Sequence, residues 1–576
     1  MTGTGAPTAP AFGSDLVVDL LGALGIEYAA FNPGASFRGL HDSLVNHGGP
    51  RPILCTHEEI SVALAHGYAK ATGRPMVVML HDVVGLQHAC MAIFNAWCDR
   101  VPILLLGGTG AMDAARRRPW IEWIHTALVQ GNHVRDFVKW DDQPQSVAAA
   151  VESLVRAYRL IRAEPCAPAY VCLDVSLQED PLPPGTGVPS DLERWIGQTT
   201  VQPETGALER AADWLAAAER PVILADRVGR SAEGPPALVR LAELLGAPVV
   251  DLGARFNFPS THPLDATGAG DEALADADLV LAVDVTDLHG ALRTAGRPRR
   301  VLTLSVADLL VRSWSADYQQ LEPADLALVG DSRVTLPVLA DLVAARLDPG
   351  TAAARVGRAR ALGEASGRRR AAWEAEAHAD ERRESVTAAY LALALREALA
   401  GHEWVLANVP LENWVRRLWK VERREHWSGS SGGAGIGYGI GASLGVALAY
   451  RGSGRIVVDL QSDGDLLYCT SALWTAARER LPLLVVMHNN RSYRNSEVHA
   501  AAIARRRGRP VANRTIGTRI EDPAVDFASV ARGLGIAASG PVAHPRDLAA
   551  ALADAVATVA AGAPCLVDVV VEEPDA

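Results

Sequence analysis

Short apolar runs alternate with longer amphipathic stretches along the whole chain. Runs such as Met76–Leu80, Pro221–Ala225 and Leu483–Met487 have the length of buried strands, and the stretches between them have the length and spacing of helices. This alternation is typical of parallel sheets that are covered by helices on both faces. The pattern therefore predicts an α/β protein.

Three blocks of this pattern follow one another. A chain of 576 residues exceeds a single hydrophobic core, and its length indicates about three or four domains. A Pro- and Gly-rich linker at 177–191 closes the first block, and an Ala-, Arg- and Glu-rich helical segment at about 352–384 leads into the third. We predict three Rossmann-like domains with parallel sheets, at residues 11–180, 195–347 and 375–576.

The predicted elements are distributed over all three blocks. The strands are Ile53–Cys55, Met76–Leu80, Ile103–Leu106, Ala169–Leu173, Pro221–Ala225, Pro248–Asp251, Leu279–Val283, Trp404–Ala407, Ile456–Leu460, Leu483–Met487 and Cys565–Val570. The predicted helices include Leu208–Ala218, Leu336–Arg346 and Thr470–Arg478. The first and third blocks are similar in size and pattern.

Composition excludes several classes of protein. The net charge of −12 is spread over the chain, whereas a nucleic-acid binder usually carries a clustered basic face. No run approaches the ~18–20 apolar residues of a membrane span, and the start of the chain does not read as a signal peptide. The seven cysteines are irregularly spaced and form no CxxC pair, which is typical of a reduced, cytoplasmic protein.

Acidic and amide side chains follow two neighbouring strands of the third block. The segment Gln461–Asp465 follows one strand as a predicted loop, and the next strand ends in His488-Asn489-Asn490. Both lie at the carboxyl ends of parallel strands, where ligands of open α/β sheets bind. Asp463 offers a carboxylate oxygen and Asn490 an amide oxygen. With a backbone carbonyl near Ser492 and phosphate oxygens, they could build the six-oxygen shell of Mg²⁺.

An acidic-Gly pair followed by Asn-Asn one βα unit later resembles the GDG…NN signature of thiamine-diphosphate enzymes. Taken alone, an acidic-Gly pair is usually a turn and Asn-Asn is usually a loop. The resemblance therefore rests on the placement of both motifs at the ends of adjacent strands. Gly464 lets the backbone approach the diphosphate, and the next helix N-terminus adds a favourable dipole.

Ser462 replaces the first glycine of the signature. Asp465 stands where a small residue is more usual and would repel the diphosphate or join the metal shell. The resemblance also implies that Ser492 and Tyr493 contact the cofactor.

A glutamate must activate this cofactor by sharing a proton with its aminopyrimidine ring, which requires a fairly dry pocket. His57-Glu58-Glu59 precedes the segment GYAKATG, which starts at Gly67. In the family, the glutamate lies nine positions before this glycine, which identifies Glu58. Glu59 is then expected to be a solvent-facing or N-terminal helix charge.

The Gly-rich segment 432–445 resembles the part of the family that bends the cofactor with an apolar wedge, and the matching residue is Ile436. It is also a Gly-rich turn into a helix of small residues. A dinucleotide-binding interpretation is weak, because no hydrophobic strand leads into these glycines and no ribose-binding acid follows them.

Other segments resemble benzoylformate decarboxylase, one branch of this superfamily, notably Ser471–Ala477 and the stretch that begins at His81. His81 is therefore a candidate proton donor or acceptor for the substrate oxygen; alternatively, it is a loop histidine. Ala35 replaces a serine of that enzyme's substrate loop, and we expect the adjacent Ser36 to point elsewhere. Glu497 is either a second acid or base or an exposed helix glutamate.

The resemblance covers nearly the whole chain and implies pyrimidine-binding, central and diphosphate-binding domains in that order. It implies thiamine diphosphate and Mg²⁺ as cofactors, a 2-oxo acid or aldehyde substrate, and a homodimer or homotetramer with active sites between subunits. The expected reaction is 2-oxo acid decarboxylation with or without carboligation. The alternatives are an acetolactate-synthase-like carboligase, a 2-hydroxyacyl-CoA lyase and a non-catalytic homologue that binds the cofactor. A colourless protein would count against typical acetolactate synthases, many of which carry a flavin.

Overall fold

Three parallel sheets follow one another in a computed structural model of the chain. The structure describes residues 9–293, 300–310, 320–409 and 412–572. Within these residues, no helix is both long enough and apolar enough to cross a membrane. The predicted fold class, an α/β chain with three parallel-sheet domains, is confirmed.

The first sheet has six parallel strands in the order β2-β1-β3-β4-β6-β5. Its strands are β1 (Tyr28–Phe31), β2 (Arg51–Leu54), β3 (Met76–Leu80), β4 (Ile103–Thr109), β5 (Trp140–Asp142) and β6 (Ala169–Asp174). The helices of this part are α1 (Gly13–Ala23), α2 (Arg38–Asn46), α3 (Glu58–Thr72), α4 (Asp82–Cys98), α5 (Ile121–His125), α6 (Val147–Arg162), α7 (Val175–Glu179) and α8 (Leu192–Ile196).

The second sheet has five parallel strands in the order β11-β10-β9-β7-β8. Its strands are β7 (Pro221–Ala225), β8 (Val249–Asp251), β9 (Leu279–Val283), β10 (Arg300–Ser305) and β11 (Leu326–Val329). The helices are α9 (Thr205–Ala217), α10 (Gly234–Leu245), α11 (Gly270–Ala275), α12 (Leu288–Leu292) and α13 (Ser332–Ala344), and the long α14 (Ala352–Ala379) leads to the third sheet.

The third sheet is again six-stranded, in the order β12-β17-β15-β14-β13 with β16 beside β17. Its strands are β12 (Val386–Thr387), β13 (Trp404–Asn408), β14 (Ile456–Ser462), β15 (Leu483–Asn489), β16 (Ala537–Val542) and β17 (Cys565–Glu572). The helices are α15 (Ala388–Ala398), α16 (Glu412–Leu418), α17 (Tyr438–Ala449), α18 (Asp463–Tyr468), α19 (Ala472–Glu479), α20 (Arg494–Arg506), α21 (Phe527–Gly533) and α22 (Pro545–Ala560).

The predicted loop at Gln461–Asp465 is wrong. Strand β14 continues through Ser462, and Asp463 is the first residue of α18. The short apolar pair Leu466-Leu467 allows one helical turn directly after the strand, with Leu466 buried. Asp463 therefore lies at the junction of a strand and a helix, which fixes its backbone more firmly than a loop would.

Helices α3 and α17 join the first and third domains through very close backbone packing. A Cβ atom on Gly67 would lie 1.9 Å from the carbonyl oxygen of Ala442, and one on Gly445 would lie 1.9 Å from that of Leu64. Only glycine allows this approach. The glycine of the GYA segment is thus explained by contact between two helix backbones, and the N-termini of both helices lie at the same end of the pair.

A buried group of charged side chains lies where the three domains meet. Lys70 Nζ is 3.1 Å from Asp99 Oδ2 and 2.9 Å from the carbonyl oxygen of Ser430. His66 Nε2 is 2.8 Å from the same carboxylate, and Arg255 of the central domain lies 3.6 Å from it. Since a buried carboxylate needs such partners, Asp99 joins side chains of the first and central domains, and the third domain is attached through the Gly432 amide, 3.0 Å from Asp99 Oδ1, and through the Ser430 carbonyl on Lys70.

Candidate functional site

Asp463 and Asn490 lie at the ends of two adjacent strands, β14 and β15. The amide nitrogen of Ser492 is 3.2 Å from Asp463 Oδ2 and 3.0 Å from Asn490 Oδ1. The two side-chain oxygens therefore converge on one point. Burial raises the pKa of the Asp463 carboxyl, so a cation beside it would favour its ionised form. Two hard oxygen donors in this arrangement fit Mg²⁺.

Ser492 and Tyr493 complete this end of the third domain. The backbone carbonyl ligand expected near Ser492 stays a prediction, and the structure shows hydrogen bonds of the Ser492 amide and hydroxyl groups. Ser492 Oγ donates to Glu497 Oε1 at 2.5 Å. The ring of Tyr493 covers Gly464, where a Cβ atom would lie 2.4 Å from it. Gly464 is therefore needed for the ring of Tyr493 to approach the Asp463 turn.

Glu497 is fully buried, so the alternative of an exposed helix glutamate is wrong. Its carboxylate accepts a hydrogen bond from Ser492 and lies 2.7 Å from Arg519 Nε and 3.3 Å from Arg494 Nη1. These contacts connect α20 to the turn that carries Asn490. Its part in proton exchange stays a prediction.

The sequence suggested that Asp465 would repel the diphosphate or join the metal shell. The structure shows other contacts of its carboxylate. Its Oδ1 is 2.6 Å from the Gly437 amide, and its Oδ2 is 3.1 Å from the Gly439 amide and 2.6 Å from Gln461 Nε2. A carboxylate is favourable at these amides, because they form the N-terminus of α17. The carboxylate therefore caps the helix that follows Ile436.

Hydrogen bonds of both neighbouring residues fix the backbone around Ile436. Before it, Gly435 exchanges two hydrogen bonds of 3.1 Å each with the buried side chain of Asn95 from α4. After it, Gly437 donates to Asp465. The Ile436 side chain itself remains 39 % exposed, so it is available to contact a ligand. Sequence reasoning missed Asn95 as a functional residue, because it lies far from this segment in the chain.

Glu58 is the first residue of α3 and is buried. Asn32 Nδ2 donates to its Oε1 at 3.2 Å. Beside it, the His57 and His88 rings are linked by a 2.8 Å contact between Nε2 and Nδ1. The environment is dry and polar, as a proton-sharing carboxyl group requires.

Of the two expectations for Glu59, an N-terminal helix charge agrees with its place in the first turn of α3, whereas a solvent-facing charge does not. It is partly buried, and a Cβ atom on Gly437 would lie 2.6 Å from its Oε1. Burial raises the pKa of the Glu59 carboxyl to about 7, with the charge of Asp465 adding to this and a hydrogen bond to Cys469 opposing it. Glu59 therefore faces the interior between the first and third domains, where side chains of both domains surround it.

His81 lies at the end of β3, where it is the N-cap residue of α4. A Cβ atom on Gly85 would lie 2.9 Å from Glu58 Oε1 and 3.2 Å from His81 Cβ, so the structure brings Glu58 and His81 together. Ser36 Oγ is 2.9 Å from His81 Nδ1. The expectation that Ser36 points elsewhere is wrong, because the short 3₁₀ turn Ala35–Phe37 directs its side chain inward.

Ion pairs occupy the carboxyl edge of the central-domain sheet. Asp226 follows β7 and Asp284 follows β9, the two neighbouring strands at which the strand order reverses. Arg227 lies 3.0 Å from Asp226. Arg230 binds Asp284 and lies 2.8 Å from Asp331. This crevice is where open α/β sheets bind dinucleotides.

Comparison with known proteins agrees with this geometry. Three models of thiamine pyrophosphate enzymes match the chain: the N-terminal TPP binding domain over residues 12–129, the central domain over 208–339 and the C-terminal TPP binding domain over 410–569. The Asp463–Asn490 pair lies within the third of these matches.

Individual relatives span nearly the whole chain. A benzoylformate decarboxylase of Pseudomonas aeruginosa is 29 % identical, covering 90 % of this chain and 91 % of its own. A probable acetolactate synthase of Oryza sativa is 26 % identical, covering 99 % and 84 %. The crystal structure of benzoylformate decarboxylase from Polynucleobacter necessarius superposes with a TM-score of 0.78 at 18 % identity, over 98 % and 100 % of the two chains. This likeness supports the fold.

Proposed function

The chain belongs to the thiamine pyrophosphate enzyme family, and from this premise we propose that it cleaves or forms a carbon–carbon bond next to a carbonyl group. The reaction favoured is decarboxylation of a 2-oxo acid, with or without transfer to a second carbonyl compound. The observation that carries the proposal is the convergence of Asp463 and Asn490 oxygens on the Ser492 amide. The burial of Glu58 in the first domain also supports the proposal.

Each site residue has a place in this reaction. Asp463 and Asn490 would hold Mg²⁺, with Ser492 and Tyr493 against the diphosphate. Glu58 would share a proton with the aminopyrimidine ring, and Ile436 would wedge between the two rings. When bound, thiamine diphosphate supplies the electron sink for the bond that breaks.

Two further residues serve the substrate. His81 is placed with Glu58 around Gly85, where its imidazole would meet the substrate oxygen as a proton donor or acceptor or through a hydrogen bond alone. Glu497 is retained as a second acid or base. Its contacts with Ser492 and Arg519 also support a role in holding the turn beside Asn490.

The active site is proposed to lie between two subunits. Large apolar side chains are exposed near the site residues of both domains: Trp120 is 67 % exposed, Leu128 81 % and Tyr468 59 %. Ile436 is also partly exposed. Patches of this kind usually mark an interface. A homodimer or homotetramer would cover them and bring Glu58 of one chain to Asp463 of another.

A decarboxylase is favoured over the flavin-containing type of acetolactate synthase, because Arg227 and Arg230 fill the central crevice with internal ion pairs. Benzoylformate itself is disfavoured, since Ala35 replaces the serine of the resembled substrate loop and the first turn of α20 carries Arg494 and Glu497. The seven free cysteines in the described part of the chain support placing the protein in the cytoplasm.

Purified protein with thiamine diphosphate and Mg²⁺ should be tested against pyruvate and against branched, basic and aromatic 2-oxo acids. Released carbon dioxide and the organic product are both measured, which separates aldehyde formation from carboligation. Asp463→Ala is the matched inactive control. Cofactor binding without turnover of any 2-oxo acid, aldehyde or 2-hydroxyacyl-CoA would favour the non-catalytic alternative.

A further inference from the structure

Ser36 offers two hydrogen-bond donors to one nitrogen of His81. The Ser36 amide nitrogen lies 3.4 Å from His81 Nδ1, and the Ser36 hydroxyl lies 2.9 Å from it. The Asp82 amide donates to the same hydroxyl oxygen at 3.0 Å. Ser36 Oγ therefore accepts from the Asp82 amide, and its own proton is available to His81 Nδ1 and to the Asp82 carboxylate, with which Ser36 also forms a hydrogen bond.

This arrangement determines the tautomer of His81. A backbone amide can only donate, so Nδ1 must accept and cannot carry a proton. A neutral imidazole has one proton, which is then on Nε2. The side chain is 20 % exposed, and Nε2 is the nitrogen left to meet a ligand. Conversion to the imidazolium would place a proton on Nδ1, break the bond from the Ser36 amide and require the Ser36 hydroxyl to turn and accept.

We propose that Ser36 is a positioning residue that holds His81 neutral with its proton on Nε2, so that His81 donates a hydrogen bond to the substrate carbonyl oxygen and does not transfer a proton to it. The role in substrate binding rests on the function proposed above. A neutral imidazole is a very weak acid, and its contribution is to stabilise negative charge that develops on the oxygen.

The charged groups around His81 agree with a neutral ring. Asp82 Oδ2 lies 3.9 Å from His81 Nδ1 and 3.8 Å from His125 Nδ1. Burial lowers the pKa of His81, assisted by His125 and Arg118 and opposed by Glu58. Burial also raises the pKa of the Asp82 carboxyl to about 7, so its charge gives only partial support to an imidazolium.

Nitrogen NMR of the holoenzyme labelled with ¹⁵N-histidine tests the tautomer directly, with His81→Gln used to assign the signal. We expect the Nε2–H form of His81 at neutral pH in the wild-type protein. In Ser36→Ala we expect the pKa of His81 to rise by about one unit, because the hydroxyl that donates to Nδ1 is lost while the backbone amide of residue 36 remains. Ser153→Ala, a buried serine on α6, is the control and should leave the signal unchanged.

Turnover then tests the role. Glutamine keeps an N–H donor, so His81→Gln should retain at least about tenfold more activity than His81→Ala if a hydrogen bond is what matters. Equal losses in both variants would indicate proton transfer and overturn the proposal, as would an Nδ1–H or cationic His81 in the wild type. The NMR result requires no turnover, so it stands separately from the proposed reaction and is obtained even if Ser36→Ala fails to fold.

Discussion

The carboxylate of Asp465 lies 2.6 Å from the amide nitrogen of Gly437, the residue directly after the proposed wedge Ile436. This contact places an acidic side chain at the positive end of α17. An acid at this place is therefore compatible with an anionic cofactor.

Replacing Asp465 with alanine should weaken cofactor binding. The amides of Gly437 and Gly439 would lose their acceptor, and the turn that carries Ile436 would loosen. A buried donor left without a partner costs ~1–3 kcal/mol, so we expect a Kd increase of about tenfold in calorimetry. Asp465→Asn keeps one oxygen at Gly437 and should stay closer to the wild type. Tighter binding by Asp465→Ala would show that repulsion of the diphosphate dominates.

Replacing Asp463 or Asn490 with alanine should abolish Mg²⁺-dependent binding of thiamine diphosphate, because each change removes one of two converging oxygen ligands. Titration calorimetry with and without a chelator measures this. Asp554→Ala, an exposed acid on α22 of the same domain, removes the same charge and should bind normally. Unchanged affinity in a folded Asp463→Ala protein would remove the metal-site assignment.

Replacing Glu58 with glutamine should leave the fold and cofactor affinity largely intact but slow activation of the cofactor. Glutamine preserves size and hydrogen bonding yet cannot exchange a proton with the ring nitrogen. Deuterium exchange at C2 of the bound cofactor should fall by at least about 10²-fold. Glu59→Gln is the matched neighbour and should exchange almost normally. Slow exchange in Glu59→Gln alone would move the activating role to that residue.

Glu59 should make the protein less stable as the pH rises. Its folded pKa of about 7 lies above the ordinary value of 4.5, so the folded state binds the extra proton between these values. The stabilisation is complete below pH 4.5 and is lost as the pH approaches 7. At pH 8, Glu59→Gln should therefore melt higher than the wild type, by about 2 °C. The exposed Glu376→Gln on α14 should leave the pH profile of the Tm unchanged. A Glu59→Gln variant that melts lower at pH 8 would contradict this account.

The purified protein should lack a bound flavin. Asp226 and Asp284 at the central crevice are already paired with Arg227 and Arg230, and a dinucleotide would have to displace these ion pairs. The visible spectrum of the native protein and the fluorescence of an acid extract measure this. Stoichiometric flavin in the extract would show that the crevice opens.

Local motifs in the sequence were sufficient to predict the strand ends with Asp463 and Asn490. The bounds of β3, β7 and β9 also followed from short apolar runs, because a buried strand leaves a compact signal. Glu58 was identified through its spacing to Gly67 in the resembled family, and its role stays a prediction. The strand signals have causes within a few residues of the chain, whereas the structure explains Gly67 by the contact of α3 with α17.

Contacts between distant segments could not be predicted in this way. Asn95 binds Gly435, 340 positions away, and Asp465 binds Gly437 across a strand and a helix. The direction of the Ser36 side chain could not be predicted either, because side-chain direction in a short turn depends on the surrounding packing. Glu59 was expected to be a solvent-facing or N-terminal helix charge; it does lie in the first turn of α3, but nothing in α3 alone indicates that α17 covers it.

The close contact of α3 and α17 has a consequence for communication in the proposed dimer. Glu58 begins one helix of this pair, and Ile436 precedes the other at the same end. If each chain gives its acid to one active site and its wedge to the other, the two centres are connected through this shared end of the helix pair. A shift of Glu58 on cofactor binding in one centre would then be passed to Ile436 in the second. The two centres would fill in sequence with unequal affinities.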